Sequence, residues 1–481
     1  MSCVSGVPDG PITHMKGTTV TRSDEDSNQR DDQGGLSRRS ILAGGAATAL
    51  TAASVTSVAA PAFAAPRSKG RDELRVGAGK AVLTVPAATY QAEQYHDIHD
   101  DLYVRVVLAK TKTKSLVLVV FDLTSISADA IAGVRSAVTA VSGVPAADVV
   151  VTVTHNFSSP HVNPGQASDA WVSNIIAAAR TAITAAVGGL TRARVGYGTG
   201  RADVNVNRNL LTKDGYYLGP NEHGPSDKTV EVARFDDASG TPIAILTNYS
   251  VQSSVMMESE SSGNSDLPFE VSADLAGAAS TWVENAYSGV VAPFLAGATG
   301  DQQPAFRSLH TLIDKTLTTS TEDAGSAGWT LLKVQGERLG TEIVRVAESI
   351  TTRATADLEL VQKTLTLDTV ATTRGQEATP TKTHAFTVNG TAALPIWVFR
   401  IGDGVFAGTP PELSTPTLLD IRRHSPFKHT FVMSMFEGGA KNMPDRWNYQ
   451  HITYEALDGT WAPGDAEKFA TYTERLIRGL H

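Results

Sequence analysis

The sequence predicts an α/β fold built around one large mixed sheet. Apolar runs with the length of buried strands alternate along the chain with segments of helical periodicity, and polar residues follow the ends of several of these runs. The 481 residues, 41% of them hydrophobic and 19% charged, suffice for one large domain or two ordinary ones. No internal repeat with a period of roughly 20–50 residues is visible, so a repeat architecture is not expected.

The expected elements follow one another in the order typical of this class. Strands are predicted where Val, Ile, Leu and Thr cluster, at Val76–Leu83, Leu102–Ala109, Leu116–Phe121, Val149–Val153, Ile243–Ser250, Pro293–Ala296, Pro395–Phe399, Val405–Ala407 and Thr430–Met435. Helices are predicted where apolar residues recur with helical spacing, at Ala128–Val141, Ala167–Val187, Ala273–Tyr287, Trp329–Ile350 and Ser414–Arg423. The segment Asp357–Thr387 is expected to be β-rich. Residues 70–481 are expected to form one domain, with Thr316–Ser326 and residues 377–383 as surface insertions.

The N-terminal part of the chain has the pattern of an export signal. Residues 1–36 are polar and are expected to be disordered. Arg38 and Arg39 then precede an alanine-rich stretch that ends at Ala62-Phe63-Ala64. Residues 37–64 are therefore predicted to be a twin-arginine signal peptide, which makes the protein secreted or extracytoplasmic; an amphipathic N-terminal helix is the alternative. No transmembrane segment is expected once this leader is removed.

Composition and motifs exclude several classes of function. A formal net charge of −9 lacks the basic surface typical of nucleic-acid binding, so no nucleic-acid partner is expected. The single cysteine, Cys3, precedes the predicted cleavage site, which excludes a disulfide, a cysteine nucleophile and a thiolate metal cluster in the mature chain. The signatures of zinc metalloproteases, serine hydrolases and nucleotide-binding loops are absent. The spaced glycines of 196–200 precede a strand-like run, and they indicate a turn more than a phosphate site.

Polar side chains collect in loops at strand ends, where α/β proteins usually place their sites. His155 follows the expected strand Val149–Val153, and its imidazole could bind a metal, act as a base or simply satisfy local hydrogen bonds. Glu412 follows the strand Val405–Ala407 at the expected start of a helix. It could cap that helix, or serve as a ligand or general base. Further candidate loops are 96–101, 252–266, 299–304 and 437–455.

Segments in and between these loops together resemble the neutral, non-lysosomal ceramidase family. In chain order they are Asp97-Ile98-His99-Asp100-Asp101-Leu102-Tyr103-Val104-Arg105, Gly200-Arg201-Ala202-Asp203-Val204-Asn205-Val206-Asn207-Arg208, Pro225–Asp237, Ser272-Ala273-Asp274-Leu275-Ala276-Gly277, Gly297-Ala298-Thr299-Gly300-Asp301-Gln302-Gln303-Pro304 and Thr453-Tyr454-Glu455. Their order and spacing carry the resemblance over nearly the whole mature chain. It implies a mixed-sheet α/β catalytic domain of ceramidase type, in a short form without the C-terminal β-sandwich domain of longer members.

The resemblance also implies an activity and a set of site residues. Members of the family use a zinc-activated water to cleave the amide of an N-acylated sphingoid base, so a small-molecule or lipid amide is the expected substrate. Two zinc ligands of the family are retained here as His155 and Glu412. The other two ligand positions, a histidine and a tyrosine in the family, hold Gln252 and Asn442. Gln303 stands at the family's nucleophile or water-contact position.

These replacements leave the use of zinc open. Catalytic zinc usually has three protein ligands, and a neutral amide is a poor donor, so His155 and Glu412 alone would bind zinc weakly. Nearby loop residues that could add a ligand are His161, Glu258, Glu260 and Asp266. Without a metal, Tyr454 and Arg208 could stabilise an oxyanion, and His155 with Glu412 could carry out acid–base chemistry.

The retained polar residues each have a structural alternative. Asp301 is a catalytic candidate that could instead cap a turn. Arg208 could form a structural ion pair, and Tyr454 could be a core aromatic residue with its hydroxyl at the surface. The prediction is therefore an exported N-acyl amide hydrolase with zinc as a candidate cofactor. The alternative is a catalytically degenerate relative that binds a ligand without turnover.

Overall fold

The computed structural model describes residues 73–162, 167–372 and 379–481. The predicted disordered segment and signal peptide, residues 1–64, lie outside this range, as do the first residues of the threonine-rich stretch 377–383.

The elements are strands and helices in close alternation. The strands are β1 Arg75–Val82, β2 Tyr95–Ile98, β3 Tyr103–Lys110, β4 Ser115–Phe121, β5 Val149–Val153, β6 Thr191–Arg201, β7 Asn205–Thr212, β8 Gly215–Asn221, β9 Thr229–Asp237, β10 Pro242–Tyr249, β11 Phe269–Val271, β12 Phe294–Ala296, β13 Gln302–Pro304, β14 Leu309–Ile313, β15 Thr319–Asp323, β16 Arg353–Ala354, β17 Leu358–Val370, β18 Val388–Ile401, β19 Gly404–Gly408, β20 Pro411–Leu413, β21 His429–Met433 and β22 Ala440–Met443. The helices are α1 Ala87–Ala92, α2 Ala128–Ser142, α3 Asp169–Gly188, α4 Asp274–Ala286, α5 Gly328–Ser349, α6 Thr415–His424, α7 Arg446–His451, α8 Tyr454–Asp458 and α9 Asp465–Arg478.

Two large sheets organise the described residues. The main sheet has the order β12-β10-β9-β6-β1-β3-β4-β5, with β16 beside β6, and the second sheet has the order β17-β18-β19-β21. Both are mixed, because β4–β5, β10–β12 and β19–β21 are parallel pairs among antiparallel neighbours. The predicted mixed-sheet α/β class is confirmed.

The apolar residues divide these elements into four layers. Helices α2 and α3 pack on one half of the main sheet and α4 and α5 on the other half. The opposite face of the main sheet packs on the second sheet. The outer face of the second sheet is covered by α6 and α9. Both faces of β5 are thereby covered, which explains why all five of its residues are buried and why it has no polar alternation.

Helix α3 lies against β1 and β3. It begins two residues after the predicted start, where the Ser168 hydroxyl accepts a hydrogen bond from the Trp171 N–H at 3.2 Å and caps the helix. Gly77 and Gly79 let the helix backbone approach β1, since a Cβ at either would lie about 2 Å from a carbonyl oxygen of α3. By length and composition α3 is the described helix that could cross a membrane, but its apolar face is part of a core cluster.

The prediction of a turn at residues 196–200 is wrong for an identifiable reason. Residues 196–200 are not a turn but the end of β6. Helix α5 packs directly on that strand, and side chains at Gly196, Gly198 and Gly200 would collide with Ile350, Val346 and Glu342. The glycines therefore mark a close approach of helix and strand. The predicted surface insertion Thr316–Ser326 contains the exposed strand β15, which pairs with β14 in a hairpin.

Candidate active site

A cavity of about 540 Å³ lies where loops and short strands meet beyond the ends of the large sheets. Its walls come from the segments after β5 and β10 and from β7, β13, β20, β22 and α8. It is lined by most of the residues that the sequence singles out, namely His155, Arg208, Gln252, Gln303, Glu412, Asn442 and Tyr454. Residues from widely separated parts of the chain therefore share one cavity.

His155 is held in one orientation at the end of β5. Its Nδ1 lies 3.0 Å from the carbonyl oxygen of Thr124, to which only a protonated nitrogen can donate. The other ring nitrogen, Nε2, is buried and makes no hydrogen bond within the described residues. The backbone of His155 is left-handed, with φ of 59°, a conformation that costs a non-glycine residue on the order of 1–3 kcal/mol and clusters at functional sites.

The Nε2 atom of His155 lies 3.0 Å from Oε2 of Glu412. The contact does not have the geometry of a hydrogen bond, because Nε2 remains without one. Nε2 of His155 and Oε2 of Glu412 are close together but do not hydrogen-bond each other, so both can bind the same third group. A water molecule is the simplest such partner.

Glu412 is kept ionised by its surroundings. It lies on β20, which pairs with β22, and its Oε2 accepts a hydrogen bond from Nε2 of Gln252 at 2.8 Å. Burial by itself would raise the pKa of Glu412. The proximity of His155, the charge of Arg208 and the hydrogen bond from Gln252 outweigh burial and lower the pKa to about 2.

We expect Glu412 to make stability depend on pH in the acid range. Because folding lowers its pKa from the ordinary 4.5 to about 2, the stabilisation is present above pH 4.5 and is lost as the pH falls towards 2. The free energy of unfolding, measured with urea, should therefore fall more between about pH 5 and pH 3 for the wild type than for Glu412→Gln. Equal decreases in the two proteins would contradict a lowered pKa of Glu412 in the folded protein.

Arg208 pairs with a second buried carboxylate and is linked to Glu412 through Gln252. Its Nε donates to Oε1 of Glu455 at 2.8 Å and its Nη1 to Oε1 of Gln252 at 3.0 Å. Arg208 therefore forms the ion pair predicted from the sequence as its structural role. Its Nη2 nevertheless makes no hydrogen bond within the described residues. The guanidinium also lies 5.3 Å from the ring centroid of Tyr454. Burial raises the pKa of Tyr454 to about 12, so its hydroxyl stays protonated and can donate.

Asp301, a catalytic candidate from the sequence, lies outside the cavity lining formed by the described residues. Its Oδ1 accepts hydrogen bonds from the backbone N–H and the hydroxyl of Thr415, at 3.0 and 2.7 Å, and so caps α6. Burial raises the pKa of Asp301 to about 7. Glu412, which precedes α6 on β20, does not take the capping role that the sequence allowed it.

Asp301→Ala should therefore affect stability more than chemistry. Loss of the cap on α6 is expected to cost about 1–2 kcal/mol. Turnover measured well below the unfolding temperature should stay near that of the wild type. Thermal unfolding and steady-state kinetics on the same preparation check both parts. A large fall in kcat with unchanged stability would instead restore Asp301 as a catalytic residue.

The zinc donor set in this cavity is incomplete. His155 Nε2 and Glu412 are two suitable donors, whereas Gln252 is committed to Glu412 and Arg208. Asn442 offers only its amide oxygen, which is buried and makes no hydrogen bond within the described residues. Catalytic zinc usually takes three nitrogen, sulfur or carboxylate ligands from the protein. The residues present do not fit such a centre.

The other residues considered as ligands do not complete the set. His161 lines the cavity, but its Nδ1 lies 2.6 Å from Oε2 of Glu93. Glu258, Glu260 and Asp266 are not among the described residues lining the cavity. A group that could hold a metal does occur within the described ranges, at Asp420, His424 and Glu474 on α6 and α9, away from the cavity.

Comparison with known proteins bears on the fold. No family model and no curated protein matches the chain. The structure resembles the neutral ceramidase from Pseudomonas aeruginosa, with 18% identity, a TM-score of 0.65 and coverage of 85% of this chain and 75% of that chain. It has a neutral ceramidase fold. A structure of a ceramidase complexed with C2 matches at 19% identity and a TM-score of 0.67, over 85% and 76% of the two chains. The ceramidase resemblance of the sequence is thereby confirmed at the level of the fold.

Two residues of the site were not singled out from the sequence. Glu455 directly follows Tyr454 in a segment that resembles the ceramidase family. That position could have marked Glu455 as a candidate site residue. Arg307 lines the cavity three residues after β13. The candidate loop 299–304 was chosen because it follows a predicted strand. Arg307 lies three residues beyond this loop and could have been included with it.

Proposed function

We propose that this ceramidase-like protein is an exported hydrolase that cleaves the amide bond of an N-acyl amphiphile. The observation that carries the proposal is the 3.0 Å approach of His155 Nε2 and Glu412 Oε2 in the wall of a cavity that Arg208 and Tyr454 also line. The likeness of the fold to neutral ceramidases supports the amide class, and the twin-arginine pattern supports export.

In the first step a water molecule attacks the amide carbonyl carbon. His155 Nε2 and Glu412 Oε2 are both within reach of one such water, and Nε2 accepts the proton that the water releases. The Thr124 carbonyl holds the ring through Nδ1, and the Glu412 carboxylate stabilises the imidazolium that forms. The nucleophile is thus generated without a metal-bound hydroxide.

The negative charge that develops on the carbonyl oxygen needs donors. Arg208, whose Nη2 makes no hydrogen bond within the described residues, and Tyr454, through its hydroxyl, are lining residues that can donate to that oxygen. Gln303 adds a side-chain amide to the same wall. As the C–N bond breaks, the proton on His155 passes to the leaving nitrogen, so the products are a carboxylic acid and an amine.

The cavity also has room for an acyl group. Apolar side chains contribute to its lining, namely Ile126, Phe157, Leu218, Met257 and Met435. Long unbranched methionine side chains adapt to flexible hydrocarbon chains. A fatty-acyl amide therefore fits the combination of a polar end and an apolar wall better than a fully polar peptide does.

Binding without turnover is the second candidate function. The observation that favours it is the replacement of two zinc-ligand positions by Gln252 and Asn442, of which Gln252 hydrogen-bonds the remaining ligand Glu412. A cavity that has lost its metal but kept its shape could still hold the same class of amide. The two functions differ only in whether product appears.

The test is release of fatty acid by the purified mature chain after treatment with a chelator. The substrates are N-lauroylglycine, N-lauroylethanolamine and N-lauroylsphingosine, with product measured by mass spectrometry and metal content by elemental analysis. We expect turnover by the metal-free protein. Binding of these amides without product would favour the second function, and activity that disappears with chelator and returns with zinc would refute the metal-free mechanism.

A further inference from the structure

Among the described residues that line the cavity, each ionisable histidine, lysine, arginine or carboxylate except Arg307 contacts a group of opposite type. Contacts join Arg208 to Glu455 at 2.8 Å, His155 to Glu412 at 3.0 Å, His161 to Glu93 at 2.6 Å, Lys441 to Asp458, and Glu437 to Arg135 at 2.6 Å. Arg307 lines the same cavity and forms no ion pair with any described residue. Arg307 is therefore the cation among these described lining residues that has no carboxylate in contact with it.

Arg307 is held in place without being neutralised. Its Nε donates to the carbonyl oxygen of Ser254 at 3.2 Å, and its terminal nitrogens make no hydrogen bond within the described residues. Two carboxylates influence it from a distance, Glu258 and Asp274. Asp274 is already committed to the backbone N–H groups of Val255 and Met256, at 2.9 and 2.8 Å. Glu258 is exposed to solvent.

The surroundings disfavour leaving this charge uncompensated. Burial lowers the pKa of Arg307, and the nearby charge of Arg208 acts in the same direction. An arginine nevertheless remains protonated at any physiological pH, so the compensation has to come from an anion. A guanidinium with two free terminal nitrogens matches the two oxygens of a carboxylate.

We propose that Arg307 binds a carboxylate on the substrate, which makes the substrate of this site an N-acyl amino acid. The inference rests on the proposed function, because it adds an anionic group to the amide that His155 and Glu412 would cleave. A carboxylate presents two oxygens to the two terminal nitrogens of Arg307, and its one negative charge equals the one positive charge of this guanidinium. The carboxylate belongs to the amine half of the substrate, since the acyl half suits the apolar lining.

The experiment compares N-lauroylglycine with N-lauroylglycinamide, which replaces the carboxylate by a neutral amide of nearly the same shape. Binding is measured by calorimetry and hydrolysis by product release. The wild type should prefer the carboxylate by about tenfold or more in Kd and KM, as expected for a charge-assisted pair. Arg307→Gln should bring the two ligands close to parity, and Arg307→Lys should keep part of the preference. Arg338→Gln, an exposed arginine away from the cavity, serves as the matched control and should keep the wild-type preference.

The outcomes separate the two proposals. If no amide is hydrolysed but the carboxylate preference in binding depends on Arg307, the anion site stands and the hydrolase proposal fails. If the wild type binds or cleaves both ligands equally, or if Arg307→Gln keeps the preference, the anion site is refuted whatever the activity. N-lauroyl phosphoethanolamine is the third ligand, and a preference for it over N-lauroylglycine would overturn the choice of a carboxylate.

Discussion

His155→Ala is expected to lower kcat for N-acyl amide hydrolysis by about a thousandfold, within the range for loss of a general acid–base group. The imidazole is the group within reach of Glu412 that can both take a proton from water and return it to the leaving nitrogen. Progress curves with N-lauroylglycine, together with thermal unfolding of the same sample, measure the effect. The unfolding temperature should change little relative to the loss of turnover.

His310→Ala is the matched control for this prediction. His310 lies on the hairpin strand β14 outside the cavity lining, and its Nδ1 lies 3.0 Å from the backbone carbonyl oxygen of Ser308. Its replacement should leave turnover close to that of the wild type. A His155→Ala protein that is folded and nearly as active as the wild type would refute the role of His155. His155→Gln, which keeps a polar side chain at this position, gives a second test if the alanine variant folds poorly.

Arg105→Ala is expected to cause the largest loss of stability, about 3–5 kcal/mol, the range for breaking a buried charge network. Arg105 is fully buried on β3, and its Nη1 and Nε lie 2.8 Å from Asp122 and Glu284 respectively. Its removal leaves Asp122 buried without a cation among the described residues and leaves Glu284 with Lys80 alone, at 2.8 Å. Urea unfolding at neutral pH measures the difference.

The surface pair of Arg192 and Glu73 provides the comparison. Its atoms lie 3.0 Å apart, a distance similar to those at Arg105, but the arginine side chain is 73% exposed. Because solvent screens such pairs, Arg192→Ala should shift the urea midpoint only slightly. Similar shifts in the two variants would show that the Arg105 network contributes no more than a surface pair does.

Much of the fold could be predicted from local pattern. Strand β5 and helix α3 are found within two residues of their predicted positions, because continuous apolar runs and a serine cap are strong local signals. The spaced glycines of 196–200 misled the prediction. A glycine that permits a turn and one that permits a helix to approach a strand look the same in sequence, and only the position of α5 distinguishes them.

The site was predictable by residue but not by role. His155 and Glu412 were both singled out at strand ends, and the structure brings them within 3.0 Å of each other. The roles of Glu412 and Asp301 at α6 could not be distinguished, because a carboxylate near a helix start is favourable in either case. Arg307 was missed because the absence of a contacting carboxylate among the described residues is visible only in the folded structure.

Joint action of His155 and Glu412 on one water is tested most directly by a double-mutant cycle on kcat/KM. The proteins are the wild type, His155→Ala, Glu412→Gln and the double variant, all assayed with N-lauroylglycine. If the two side chains act as a unit, the double variant should lose little more than the more damaged single variant. Losses that multiply, or a wild type that releases no fatty acid from any N-acyl substrate, would contradict the account.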